Sequence, residues 1–174
     1  MRFFVGILFG IVLTALGMAA YLHFGNVPVA VSDTGWKLER LLAHSALDRR
    51  IESELVKQPP LAADAAAFQS AAPVYVQKCA FCHGTPDHPS MMDKAEFPRA
   101  PQLFKKHRDG IVGVTDDEPG ETYWKIKNGI RLSGMPSYKD DLTDTQMWQV
   151  AQMLANADKL PPNVMQQLQP PAPQ

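Results

Sequence analysis

The chain has 174 residues, enough for one modest domain with additions. Its 17 Lys+Arg against 18 Asp+Glu leave a net charge of −1 at pH 7, so no global field marks nucleic acid or an acidic substrate as a partner. It has 2 cysteines, at positions 79 and 82, which leaves no disulfide framework to hold the fold.

The first element runs from Phe3 to Phe24 without an Asp, Glu, Lys or Arg. About twenty such residues cross a bilayer as a helix. A cleavable signal has an apolar core of only about 7–15 residues before a small-x-small site. Ala19 and Ala20 offer small residues, but Tyr21, Leu22 and Phe24 carry the apolar run past them. The expectation is an uncleaved anchor over residues 1–25, with Tyr21 and His23 near the outer interface, where amphipathic rings are favoured. Residues 26–67 read as a spacer that contains an amphipathic helix over 34–57. Leu38, Leu41, Leu42, Leu47, Ile51 and Leu55 fall near a 3.6-residue period there, with charged residues between them. Such a stripe must be covered by this protein's own domain, by the membrane surface or by a partner subunit. His44 on this helix reads as a surface or packing residue, with a distal metal-ligand role as the alternative. Pro59 and Pro60 stop the helix, and Leu61 to Ala72 is alanine-rich, either a short helix or a semi-ordered linker.

Cys79-Ala80-Phe81-Cys82-His83 then reads Cys-x-x-Cys-His, the attachment sequence of c-type haem. Two thiols three positions apart reach both vinyl groups of one haem, and the following histidine supplies an imidazole to its iron. A zinc site would need two further nitrogen or sulfur ligands at matching spacing, and the chain has no third cysteine. A thioredoxin-like dithiol would need a βαβ setting, which the flanks do not offer.

Thr85 to Ala100 is loop-like, with Pro86, Pro89 and Pro98. His88, Met91 and Met92, so soon after His83, read as loop or haem-edge packing residues. Lys105 to Arg108 forms a basic cluster and Asp116 to Glu118 an acidic one. Both are read as solvated surface, with steering of an acidic redox partner as the sharper use of the first. A helix is expected over 121–128, ended by Gly129, with Tyr123, Trp124 and Ile126 on its apolar face. Next comes Asn128-Gly129-Ile130-Arg131-Leu132-Ser133-Gly134-Met135-Pro136-Ser137-Tyr138. Its glycines allow close approach to a flat group, and Pro136 biases Met135 towards extended backbone. Thr143 and Gln146 form a capping box at the start of the last helix, where Met147, Val150, Ala151 and Leu154 share a face. Trp148 is either core or a surface anchor. Pro161 and Pro162 end the helix, and 161–174 is expected to be a flexible Pro/Gln tail.

From Phe68 to Leu160, a little over half the chain, these motifs resemble a class I c-type cytochrome. The resemblance implies an all-α fold, helices wrapped around one haem c, as domain 68–160 behind the anchor and the helical linker. It implies Cys79 and Cys82 as attachment points, His83 and Met135 as axial iron ligands, and Pro101 as acceptor for the ring nitrogen of His83. Leu103 would pack on the haem, and Trp124 or Arg131 would hold a propionate. Ala71 and Tyr75 would pack on Val150 and Met153, although the family usually has glycine where Ala71 stands. Haem attachment outside the cytoplasmic membrane of a bacterium would put everything after Phe24 in the periplasm. The function so implied is a membrane-tethered electron carrier between respiratory or dehydrogenase complexes, not an enzyme. The alternative is an integral cytochrome subunit of a membrane oxidoreductase.

Overall fold

The computed structural model of the protein describes residues 2–92, 94–107 and 109–169. Those residues form seven helices and no strand, the all-α architecture expected from the sequence. The chain divides into two compact units, residues 1–40 and 41–174.

The first unit holds α1 (Arg2–Phe24) and the start of α2 (Lys37–Glu54). None of the 23 residues of α1 is buried by protein, although most are apolar. Their mean hydropathy over an 18-residue window is 2.4. At 1.5 Å per residue the helix is about 34 Å long, slightly more than the ~30 Å hydrocarbon layer of a bilayer. By length and composition it is able to cross a membrane.

α2 corrects the expectation of a single stripe. Leu38, Leu41 and Leu42 are exposed, whereas Leu47 and Leu55 are half-buried and Ile51 is buried. Leu55 lies just past the end of the helix, and at 3.6 residues per turn Leu47 and Ile51 lie roughly 150° around it from the centre of Leu38, Leu41 and Leu42. The second face packs against the domain that follows. A side chain at Gly120 would collide with the carbonyl of Val56 and meet Leu55 Cδ1 at 3.2 Å. The Trp124 indole donates to Glu54 Oε2 at 2.8 Å.

The second unit is built on α3 (Ala65–Lys78), α5 (Pro119–Asn128) and α6 (Asp144–Leu154), with the single turn α4 (Ala80–His83) between α3 and a long loop. Asp64 caps α3 by accepting from the Ala67 N–H at 2.8 Å. Phe68, Ala71, Ala72 and Tyr75 make its buried face, at the i, i+3, i+4, i+7 spacing of one helix side. Pro73 lies inside α3 without ending it, on the exposed side. α3 packs chiefly on α6. Ala71, Val150 and Met153 are all almost fully buried in one core, so alanine is small enough at this crossing. The predicted capping box is present: the Gln146 N–H donates to Thr143 Oγ1 at 3.2 Å and the Thr143 N–H to Gln146 Oε1 at 2.9 Å. Trp148 is core. It stacks on Tyr123 with ring centroids 4.1 Å apart and planes at 8°.

The C-terminus differs from the expected tail. Residues Pro162–Gln167 form α7, which packs on α3 and fully buries Val164 and Leu168. Gln169 Nε2 donates to Asp87 Oδ2 at 2.8 Å. α6 already ends at Leu154, well before Pro161, so the prolines do not stop it as expected; they open α7 instead, because proline suits a first turn. Residues 170–174 lie outside the described residues. Leu168→Ala should therefore cost about 2–5 kcal/mol, as for a buried leucine. A mobile tail would give within about 0.5 kcal/mol of zero in the same urea titration.

Candidate haem site

The site begins where α3 ends. Cys79 is the junction residue: its N–H donates to Tyr75 O at 2.8 Å, and its carbonyl accepts from the His83 N–H at 2.9 Å. α4 is thus one tight turn that carries Cys82 and His83. Gly84 closes it with φ +72°, where a Cβ would stand within 3 Å of Gln102 Oε1, His88 O and Ser90 N. Only glycine suits both the backbone angle and the space. The buried Tyr75 hydroxyl donates to Gly84 O at 2.7 Å and pins the turn to α3.

His83 Nδ1 lies 2.8 Å from Pro101 O. A carbonyl only accepts, so Nδ1 carries the hydrogen and Nε2 keeps its lone pair for a metal. Burial pulls the imidazole pKa down, against opposing contributions from the Pro101 carbonyl and the Glu96 carboxylate. The neutral ligand form is the one burial favours. The same segment supplies Leu103, which is buried in the core and donates its N–H to His83 O at 3.3 Å. Gly113 (φ +54°) crosses directly over the Leu103 carbonyl. Ser90 ties the intervening loop to the turn: its hydroxyl donates to Phe81 O at 2.9 Å and its N–H to Gln102 Oε1 at 2.8 Å.

The distal stretch is built from α5. Gly129, at φ +68°, donates its N–H to Lys125 O at 2.9 Å and ends the helix as expected. A Cβ there would meet Pro136 C and Ser137 N at 2.7 Å, so the glycine serves a crossing of the loop over itself. Met135 O accepts from the Ile130 N–H at 3.1 Å, and Ser137 Oγ donates to Lys127 O at 2.7 Å. Tyr138 then joins the distal loop to the attachment segment, donating from its hydroxyl to Lys78 O at 2.8 Å. Burial, with the neighbouring Cys79 and Cys82, pushes this phenol up to about 12. Met135 and Cys79 are both half-buried at the margin of the same apolar core.

The two thiols are not bonded to each other. Burial first, then Cys82, pushes the Cys79 thiol up to about 12. Burial and the Glu96 carboxylate raise that of Cys82. Arg131 is exposed, and the Trp124 N–H is given to Glu54. His44, His88 and Met91 are exposed. Of the basic cluster, Lys105, Lys106 and His107 are exposed, His107 Nε2 lies 2.8 Å from Gly113 O, and Arg108 lies outside the described residues. Asp117 of the acidic run pairs internally with Lys125 at 3.7 Å.

Two observations fit this arrangement to haem c. His83 is already turned with Nε2 available. The exposed large apolar side chains of the described haem-site segments, Phe81 (61%), Met91 (84%), Phe97 (51%) and Leu132 (91%), come from α4, the loop after it and the loop that carries Met135. Leu132 has φ +62°, a costly angle for a leucine, which turns its side chain outward. A flat apolar group beside these segments would reduce their exposure to water. Sequence reasoning missed the Tyr75 and Tyr138 hydroxyl bonds and the Ser90 tie. Tyrosine where phenylalanine would pack equally well was the available signal.

A helical domain gathered around a Cys-x-x-Cys-His turn, with its histidine oriented by a proline carbonyl and a methionine in a Gly/Pro loop, is a class I c-type cytochrome. Residues 66–154 match the family model described as cytochrome c oxidase, cbb3-type, subunit III. The match spans just over half of the 174 residues, and the chain belongs to that family. No curated protein and no solved structure matches it.

Proposed function

We propose that the protein is a membrane-tethered, periplasmic monohaem cytochrome that passes single electrons between respiratory or dehydrogenase complexes. The observation that carries this is the His83–Pro101 hydrogen bond at 2.8 Å, which occupies Nδ1 and leaves Nε2 available for an iron within a Cys-x-x-Cys-His turn. Cys79 and Cys82 would each add their S–H across one vinyl group, the sulfur bonding to carbon and the hydrogen going to the other vinyl carbon. Bound haem c supplies a one-electron Fe(III)/Fe(II) couple. His83 and Met135 would both ligate the iron, through nitrogen and sulfur. Pro101 fixes the imidazole plane and its basicity. Leu103 excludes water beside it. A propionate would be held by the exposed Arg131 guanidinium, since Glu54 takes the Trp124 donor. α1 would keep the haem near membrane partners.

Redox titration of the purified protein should give a single one-electron Nernst curve and a low-spin spectrum that carbon monoxide does not change at neutral pH. A high-spin haem that binds carbon monoxide readily would remove Met135 from the iron. The family description favours a second reading, in which the chain is a fixed subunit of a membrane oxidase. Stable co-purification with other subunits in mild detergent would select it over a free carrier.

A further inference from the structure

The connection between α1 and α2 is a built turn. The N–H groups of Val29 and Ala30 both donate to Asp33 Oδ2 at 2.9 Å, and Asp33 N–H donates back to Ala30 O at 2.9 Å. At its start, Gly25 N–H donates to Tyr21 O at 2.7 Å. A Cβ on Gly25 would stand 2.6 and 2.8 Å from atoms of the Tyr21 ring, so glycine gives that ring its room. The turn brings Trp36 back onto Tyr21, ring centroids 6.0 Å apart and planes inclined by 34°. Tyr21 stands three residues before the end of α1, about 4.5 Å along the axis. A tyrosine at that depth sits at the headgroup level of any bilayer the helix spans, where tryptophan is equally favoured.

Trp36 is half-exposed beside that tyrosine, and the leucines that follow it are open to solvent: Leu38 60%, Leu41 65% and Leu42 58%. They form the face of α2 turned away from Ile51. By helical spacing, Lys37 and Glu39 border this face on either side and Arg49 continues it beyond Ser45. Apolar area of this kind is rarely left in water without a use.

We propose that the segment from Trp36 to Leu42 is an interfacial helix, seated in the lipid headgroup layer of the membrane that α1 spans. Its leucines face the acyl chains, Trp36 and Tyr21 form one aromatic anchor, and Lys37 and Arg49 reach lipid phosphates. The occupant is lipid and not protein because the face begins two residues after Trp36, whose ring meets Tyr21 of the bilayer-spanning helix. The proposal rests on α1 being a membrane span.

The test uses full-length holoprotein in vesicles of 3:1 phosphatidylcholine and phosphatidylglycerol, carrying bromine either near the headgroup end of the acyl chains or deep in them. The chain has 3 tryptophans, and Trp36→Phe assigns the emission of Trp36 by difference. Shallow bromine should quench most of that emission and deep bromine much less. A Leu38→Asp, Leu41→Asp double variant should lose the shallow quenching while still floating with the vesicles. Wild-type protein that floats with Trp36 unquenched by either lipid would overturn the interfacial helix alone. Quenching that gives way to a crosslinked dimer as protein density rises would assign the face to a second copy. Protein that fails to float would overturn both the span and the helix.

Discussion

Met135→Ala should convert the protein from low-spin to high-spin at neutral pH and lower its reduction potential. The sulfur of Met135 is the distal thioether in the proposed iron coordination, and it stands at the margin of the same core as Cys79. Methionine opposite histidine raises a haem's potential, because a weak soft ligand favours the ferrous state. Its loss should shift the midpoint by on the order of 100 mV or more, within the ~0.8 V that axial ligation spans. Met91→Ala and Met92→Ala serve as controls. Met91 is 84% exposed on the loop after α4, and neither change should move the potential or the spin state. Identical spectra for Met135→Ala and wild type would take the distal ligand away from this loop.

The second large effect is on attachment and stability together. In Cys79→Ala/Cys82→Ala, both thioether sulfurs are gone and haem is held only by its axial ligands and apolar walls. Cys79 is packed at the core margin and Phe81, Phe97 and Leu132 remain open to water, so the apolar cofactor forms part of what the domain folds around. A ligand that binds only the folded state stabilises it by about 4 kcal/mol at a thousandfold excess over its dissociation constant. In the variant stripped of its haem, loss of that amount should lower the melting temperature by roughly 15–30 °C in a domain of this size. Organic extraction of the denatured variant should remove all its haem. A melting temperature equal to wild type would mean that the apoprotein fold needs no cofactor.

What the sequence made legible was local. The Cys-x-x-Cys-His turn, the glycine that ends α5 and the Thr143–Gln146 capping box are each written within a few consecutive residues, and each is present. Pro101 was accessible through the resemblance, and its carbonyl does meet His83 Nδ1. The misses were of a different kind. α2 carries five of the six apolar residues, yet they divide into two faces, because the five-residue step from Leu42 to Leu47 turns roughly 140° around the helix. α7 was hidden by two prolines that read as the stop of α6, which ends at Leu154, and serve instead as the start of α7. The Tyr138–Lys78 hydrogen bond joins residues 60 apart, and no periodicity within either segment encodes it. The Glu54–Trp124 hydrogen bond joins residues 70 apart and was likewise not legible from either segment.

The most direct measurement is the mass of the protein after full denaturation and removal of free haem. The expected result is a chain heavier by one haem, with the modified peptide containing both Cys79 and Cys82. A denatured chain at its bare polypeptide mass, with two titratable thiols, would contradict covalent haem attachment.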